Sequence, residues 1–194
     1  MAGRPKVFDT EAVINKAIEV FWTKGYEASS TEDLLMAMGI GKGSFYLAFE
    51  GGKRELFEKA LEQFSKQSLQ RFRNDLATSK DPIELLRDFF RSIAMHSEEI
   101  HQKGCFLGNS IAELSTIDKP LQQKPITLLK ELEKVFEETI WEAQQSGNLQ
   151  TKEEATKLAK YLINVWNGLN ISRRMYSDPT ILKSLIEMHL KVLV

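Results

Sequence analysis

Hydrophobic positions recur along this chain at the spacing of a helix. Val13, Ile14, Ala17, Ile18 and Phe21 mark one face of a helix from about Thr10 to Lys24 that stops at Gly25. In "SSTEDLLMAMG", Ser30 followed three positions on by Asp33 reads as a capping box built with aspartate. It opens a short helix that runs to Met38 and ends at Gly39. An equally short helix fits Lys42–Phe49, and a long amphipathic one spans about Lys53–Leu76. Pro82, at the first helical position after Asp81, starts another that continues to about Ile100. After Gly104, "CFLGNSIAEL" reads as a short helix. Pro120 and Pro125 bracket the start of a long one over about Ile126–Gln145. Helices from about Lys152 to Tyr176 and from Pro179 to the C-terminus complete the set. The pattern predicts an all-α fold of about nine helices.

Composition narrows the class. The 194 residues, 42% hydrophobic and 27% charged, suffice for one or two domains with a real core. No apolar run approaches the ~18 residues of a membrane span, and the first thirty residues lack a signal-peptide pattern. The single cysteine rules out an internal disulfide and a Cys-based zinc site. The expectation is a cytoplasmic protein with no membrane partner. A net charge of −1 indicates no particular partner, and residues 1–60 carry eight Lys/Arg against nine Asp/Glu. Binding to nucleic acid therefore requires positive charge focused by position rather than in bulk.

Such focusing is visible in "MGIGKGSFYLAFEGGKREL", residues 38–56. Five glycines flank an aromatic run, and no acid occurs from Leu34 to Phe49. Two short helices joined by "GIGKG" and backed by a longer first helix make a helix-turn-helix unit. Phe45 and Phe49, one turn apart, anchor its second helix. Lys42, Gly43, Ser44, Tyr46, Leu47 and Ala48 then lie at its N-terminal end or outer side, the part that enters a major groove in this motif. A plain helical hairpin in a core has the same bare spacing. Arg4, in "MAGRPK", suits an extended arm in a minor groove, although a disordered tail has the same composition.

The stretch "GYEASSTEDLLMAMGIGKGSFYLAFEGGKRELF" resembles the DNA-binding domain of TetR-family transcriptional repressors. The match runs over about residues 8–60 and rests on Gly25-Tyr26, Ser30, Gly39-Ile40, Lys42-Gly43, Tyr46 and Phe49. The resemblance implies double-stranded operator DNA as partner. Ser30, Lys42 and Tyr46 would contact phosphates, and Gly43, Ser44 and Leu47 would lie against base edges. Thr31 and Lys53 join the DNA-binding candidates. Two positions depart from the family pattern. Gly41 replaces the usual Ser or Thr cap of the recognition helix, and Glu50-Gly51-Gly52 lengthens the turn that sets the direction of Lys53.

Beyond about residue 80 there is no nucleophile elbow and no phosphate loop. His96, His101 and Cys105, at offsets of five and nine, do not converge on a metal. No cofactor, no metal and no enzymatic activity are expected. Phe106, Asn109, Ser110 and Glu113 share one side of a helix, and Trp141, Tyr161 and Trp166 lie on later ones. Such a mixture lines interhelical pockets or simply fills a core. The resemblance implies a small-molecule effector pocket, with Cys105, Phe106, Asn109, Glu113, Trp141 and Trp166 as candidates. "GCFLGNSIAEL" further resembles a subgroup in which some members sense electrophiles or oxidants. Cys105 in a first helical turn would favour a thiolate, whereas most free cysteines are small buried hydrophobes.

The last two helices carry Leu158, Leu162, Val165, Leu169, Ile181, Leu185, Met188 and Leu193. In the family this pair forms a dimer interface, which makes Leu162, Val165, Leu169, Leu185 and Met188 its candidates. Both helices can equally be internal to a monomer. The expected protein is a homodimeric, ligand-responsive repressor released from a palindromic operator by a small molecule or electrophile. Residues 1–50 would form the DNA-binding domain, helix 51–77 a connector, and residues 78–194 the effector and dimerisation domain. A helical protein-interaction adaptor and an all-α small-molecule enzyme are the alternatives.

Overall fold

The computed structural model describes residues 8–176 and 178–194, and among them it has ten α-helices, one 3-10 turn and no strand. Contacts divide the described residues into two compact units. One comprises the residues up to Ser68 together with Asn109–Leu128, and the other Leu69–Gly108 together with Leu129–Val194. The divisions fall inside helices.

The first unit is built on α1 (Thr10–Lys24), α2 (Thr31–Met38), α3 (Lys42–Ala48) and the start of α4 (Gly52–Thr78). Asp9 caps α1 by accepting from the Glu11 and Ala12 N–H groups, and Gly25 ends it at φ +85°. Ser30 and Asp33 form the reciprocal capping box of α2, which Gly39 closes in the left-handed conformation. The periodic apolar faces meet as the spacing predicts: Val13, Ile14, Ala17, Ile18, Phe21, Leu34, Met38, Phe45 and Phe49 are all buried. Apart from Ala17, each of these side chains contributes about 1.5–3 kcal/mol on burial. Leu56, Phe57, Ala60 and Leu61 of α4 close the cluster, with the Phe57 ring edge-on to Phe21 at 4.9 Å.

In the second unit the helix expected over 82–100 is broken. α5 (Pro82–Arg91) runs into a 3-10 turn over Ser92–Met95, and α6 (Glu98–Lys103) starts afresh behind the Ser97 cap. The cause is local: the Ser92 hydroxyl bonds back to the Phe89 carbonyl, and His96 is extended at ψ 157°. After α7 (Phe106–Leu114), α8 (Lys119–Gln145) begins seven residues earlier than expected, with Pro125 inside it. Asp118 makes this start tenable by accepting from the Leu121 N–H at 2.9 Å, while its own carbonyl takes the Gln122 N–H. α9 (Ala155–Ser172) and α10 (Pro179–Leu190) are shorter than expected. Phe72, Phe89, Phe90, Phe136 and Trp166 form the aromatic centre of this unit, with Phe89 stacked on Trp166 at 4.8 Å.

The dimer-interface assignment of α9 needs correction. Leu162, Val165 and Leu169 are buried in their own chain, at 0%, 6% and 3% exposure. Of the two readings the stripe allows, a dimer face or a monomer interior, these three side chains take the interior one. The outward side of α9 presents Tyr161, Asn164, Gly168 and Ile171, followed by Met175. On α10, Ile181 and Met188 are exposed and Leu185 is partly so.

Candidate functional site

The outer surface of α3 follows from its anchoring. Phe45 and Phe49 are fully buried with ring centroids 5.5 Å apart, which fixes the rotation of this seven-residue helix. Lys42, Gly43 and Ser44 are thereby exposed in its first turn, with Tyr46 at 44% and Leu47 at 70% exposure beside them. Gly41 caps α3 without a side-chain hydrogen bond. A Cβ on Gly41 or Gly43 would meet nothing within 4 Å, so packing within the chain does not demand glycine there. Ser30 stands exposed at the start of α2, its hydroxyl accepting from the Asp33 N–H at 3.0 Å, and Thr31 is partly exposed beside it. Arg4 lies outside the described residues.

Lys53 is a correction. Its ammonium donates to the carbonyls of Tyr26 (3.0 Å), Ser29 (3.2 Å) and Glu27 (3.5 Å) and sits 4.5 Å over the Tyr26 ring. The lengthened turn at Glu50–Gly52 directs it at the α1–α2 turn rather than outward, where it satisfies carbonyls of that turn. Glu113 holds the same turn. Its carboxylate accepts from the Tyr26 and Glu27 N–H groups, both at 2.9 Å, and is therefore engaged inside the first unit instead of lining a pocket. Two ion pairs tie the same 109–128 segment to α4, Arg54 with Asp118 and Lys124 with Glu62.

The remaining pocket candidates separate. Trp141 is 56% exposed beside Lys134, Glu137 and Glu138 in a charged surface groove, so it lines no buried pocket. Phe106 is buried core, and Asn109 belongs to the first unit. Cys105 and Trp166 do meet. The thiol is buried and accepts from the Gly108 N–H at 3.4 Å. Burial pushes its pKa up, against the smaller favourable pulls of the Gly108 N–H, the nearby Trp166 indole and Arg173. Desolvation thus outweighs the helix N-terminus, contrary to the thiolate expected there. The indole N–H pulls weakly on the sulfur but makes no full hydrogen bond, which leaves Trp166 Nε1 buried without a partner. His101 is held by the Ile93 carbonyl at 3.0 Å.

Comparison with known proteins then settles the class. Residues 13–69 match the family described as bacterial regulatory proteins, tetR family, and residues 82–188 match the tetracyclin repressor-like C-terminal domain. The chain belongs to the TetR family. This TetR-family protein is 31% identical over 194 residues to YezE, an uncharacterized HTH-type transcriptional regulator of Bacillus subtilis, covering 98% of this chain and 99% of YezE. It is 29% identical to the transcriptional repressor ComR of Escherichia coli, over 89% of this chain and 82% of ComR. Among solved structures, a cysteine mutant of the TetR-family regulator CifR in complex with a 26-bp operator superposes at a TM-score of 0.79. It shares 25% identity, over 98% of this chain and all of that one. Reduced NemR of E. coli shares the fold at a TM-score of 0.85 and 16% identity, over 95% and 96% of the two chains. The protein is a DNA-binding, helix-turn-helix transcriptional regulator.

Some residues of this TetR-family chain escaped the sequence reading. Asn167, Asn170 and Arg173 are spaced three apart along α9 and its C-cap, and the last two are buried. Polar residues repeating at helical spacing within an apolar stretch were the available signal. The grip of Glu113 on the α1–α2 turn, 86 residues distant in sequence, had none.

Proposed function

We propose that this protein is a homodimeric repressor that holds a palindromic operator through α3 of each protomer and releases it when a small molecule binds. The observation that carries the reading is α3 itself. Its anchoring phenylalanines point inward, and Lys42, Ser44, Tyr46 and Leu47 face outward with Gly43 among them. Lys42 supplies a phosphate contact, Gly41 and Gly43 admit close backbone approach, and Leu47 offers an apolar surface to a thymine methyl. The operator-bound CifR structure and the repressor ComR support operator binding and repression respectively. Residues 1–50 serve DNA reading, helix 51–77 connects, and residues 78–194 serve effector binding and dimerisation.

The second copy covers the outward stripe of α9 and α10, formed by Tyr161, Gly168, Ile171, Ile181, Leu185 and Met188. Gly168 has open space where a Cβ would stand, which suits close approach of a partner helix. The effector acts only through its differential affinity for the operator-competent and released conformations. Selection of bound sequences from random duplex DNA tests the proposal. The expected product is a palindromic consensus whose half-sites lie about 34 Å, or a multiple of it, apart. Enrichment of an asymmetric site, or none, refutes it.

A further inference from the structure

The second unit holds a group of polar atoms that its packing leaves unsatisfied. Five buried side-chain polar atoms among the described residues have no hydrogen-bond partner, and four of them are His96 Nδ1, Trp166 Nε1, Asn167 Oδ1 and Arg173 Nε. Cys105 links them: the Trp166 indole N–H acts on its sulfur, Asn167 Oδ1 stands across the Gly108 backbone from it, and the Arg173 charge acts on both Cys105 and His96. Asn167 Oδ1 and Cys105 Sγ lie 3.6 and 3.7 Å from the position a Cβ would take on Gly108, so glycine there keeps a niche open between them.

Arg173 is the decisive member. It is 3% exposed, and its terminal nitrogens donate to neutral acceptors only, Asn170 Oδ1 at 3.1 Å and the Ile100 carbonyl. No described carboxylate acts on it, and the charged neighbour it does feel, Arg174, is of like sign. A guanidinium withdrawn from water without an anion is a costly arrangement, and an unpartnered N–H adds to that cost. Burial and Arg173 together hold His96 toward its neutral form, so the cluster carries one uncompensated positive charge. Its complement is a monoanion with two acceptor oxygens, plus a donor for Asn167 Oδ1. His96, Trp166 and Asn167 are only partly buried as residues, so the cluster reaches the surface.

We propose that this cluster binds a small organic monocarboxylate, whose oxygens accept from Arg173 Nε–H and Trp166 Nε1–H while Asn167 Oδ1 accepts from a ligand hydroxyl or N–H. Cys105 is a neutral thiol at its edge. The assignment rests on the reading of residues 78–194 as the effector-binding part, and names the class of effector.

The test uses the full-length protein without DNA. Acetate, propionate, lactate and benzoate are titrated by calorimetry and tryptophan fluorescence, each beside its amide and sodium chloride at equal ionic strength. At least one carboxylate is expected to bind saturably and its amide about tenfold or more weaker, the contribution of one charge-assisted hydrogen bond. Trp166→Phe removes the indole N–H, keeps a six-membered ring against Phe89, and is expected to weaken that carboxylate by a similar factor in a protein that stays folded with a lowered melting temperature. Asn167→Ala is expected to abolish any preference for lactate over propionate. Absence of saturable binding by every carboxylate, equal binding of acid and amide, or an unchanged affinity in a folded Trp166→Phe protein overturns the site. Operator binding by the unliganded protein is measured separately. Its presence without carboxylate binding sinks this site alone, and its absence sinks the regulator reading alone.

Discussion

Glu113→Ala removes both acceptors that hold the α1–α2 turn. The Tyr26 N–H is partly buried and loses a charge-assisted bond, a cost of about 1.5–2 kcal/mol. The Glu27 N–H is exposed and water replaces its partner, so it adds only about 0.5 kcal/mol. The sum of about 2–2.5 kcal/mol corresponds to roughly 4–10 °C in the melting of the first unit, at about 2–4 °C per kcal/mol for a chain of this size. Gly25→Ala provides the second edge of a cycle. Its Cβ would stand 2.9 Å from both Glu113 oxygens at φ +85°, so the carboxylate must withdraw and the residue is strained besides. With Glu113 intact, Gly25→Ala is expected to cost the strain of about 1–3 kcal/mol together with the lost hydrogen bonds; in the Glu113→Ala background the strain alone remains. The double variant should therefore be less destabilised than the sum by about 2 kcal/mol. Thermal unfolding followed by circular dichroism measures all four proteins. A Glu113→Ala protein melting within about a degree of wild type, or a strictly additive cycle, refutes the reasoning.

Lys42→Ala should weaken operator binding across all sequences and lower the salt slope by about one, as read in gel-shift titrations. Leu47→Ala should instead relax preference at one base pair per half-site, and a uniform loss in a site-variant panel contradicts its role. Ile171→Glu, on the exposed stripe, should give a folded monomer by sedimentation, whereas Leu169→Glu buries an unpaired charge and should unfold the second unit; a stable Ile171→Glu dimer places the interface elsewhere. Asp33 supplies a pH test. Its bond to Lys24 at 2.8 Å, then the Ser30 N–H and hydroxyl, lower its pKa from 3.8 to about 2. The folded value lies below the unfolded one, so its contribution is complete above 3.8 and fades as pH falls toward about 2. Asp33→Asn should flatten that part of the stability profile in urea melts, and an unchanged acid limb removes the capping box from the account.

The parts of the fold legible in the sequence are those fixed by local chemistry. The capping box at Ser30, the glycine stops at Gly25 and Gly39 and the apolar spacing of α1 placed the first three helices within a residue. Phe45 and Phe49 likewise fixed the outward face of α3. Reading failed where a distant partner decides. Lys53 turns to the Tyr26, Glu27 and Ser29 carbonyls, and Glu113 to the N–H groups of the same turn. Periodicity found the apolar stripe of α9 but not its direction, because Leu162 buried inward and Leu162 buried by a partner obey one pattern. Pro125 marked a boundary by propensity, yet Asp118 starts the helix before it.

The division of α7 between Gly108 and Asn109 bears on how such a protein can be recombined. Swapping a DNA-binding head between regulators by a single cut at residue 68 treats the head as one continuous segment. A cut there would leave the transplanted head without Glu113, Asp118 and Lys124, which are its own parts encoded some fifty residues later. Chimeras that exchange residues up to 68 alone should be poorly folded. Those that carry 109–128 along as a second insert should recover the donor's operator specificity.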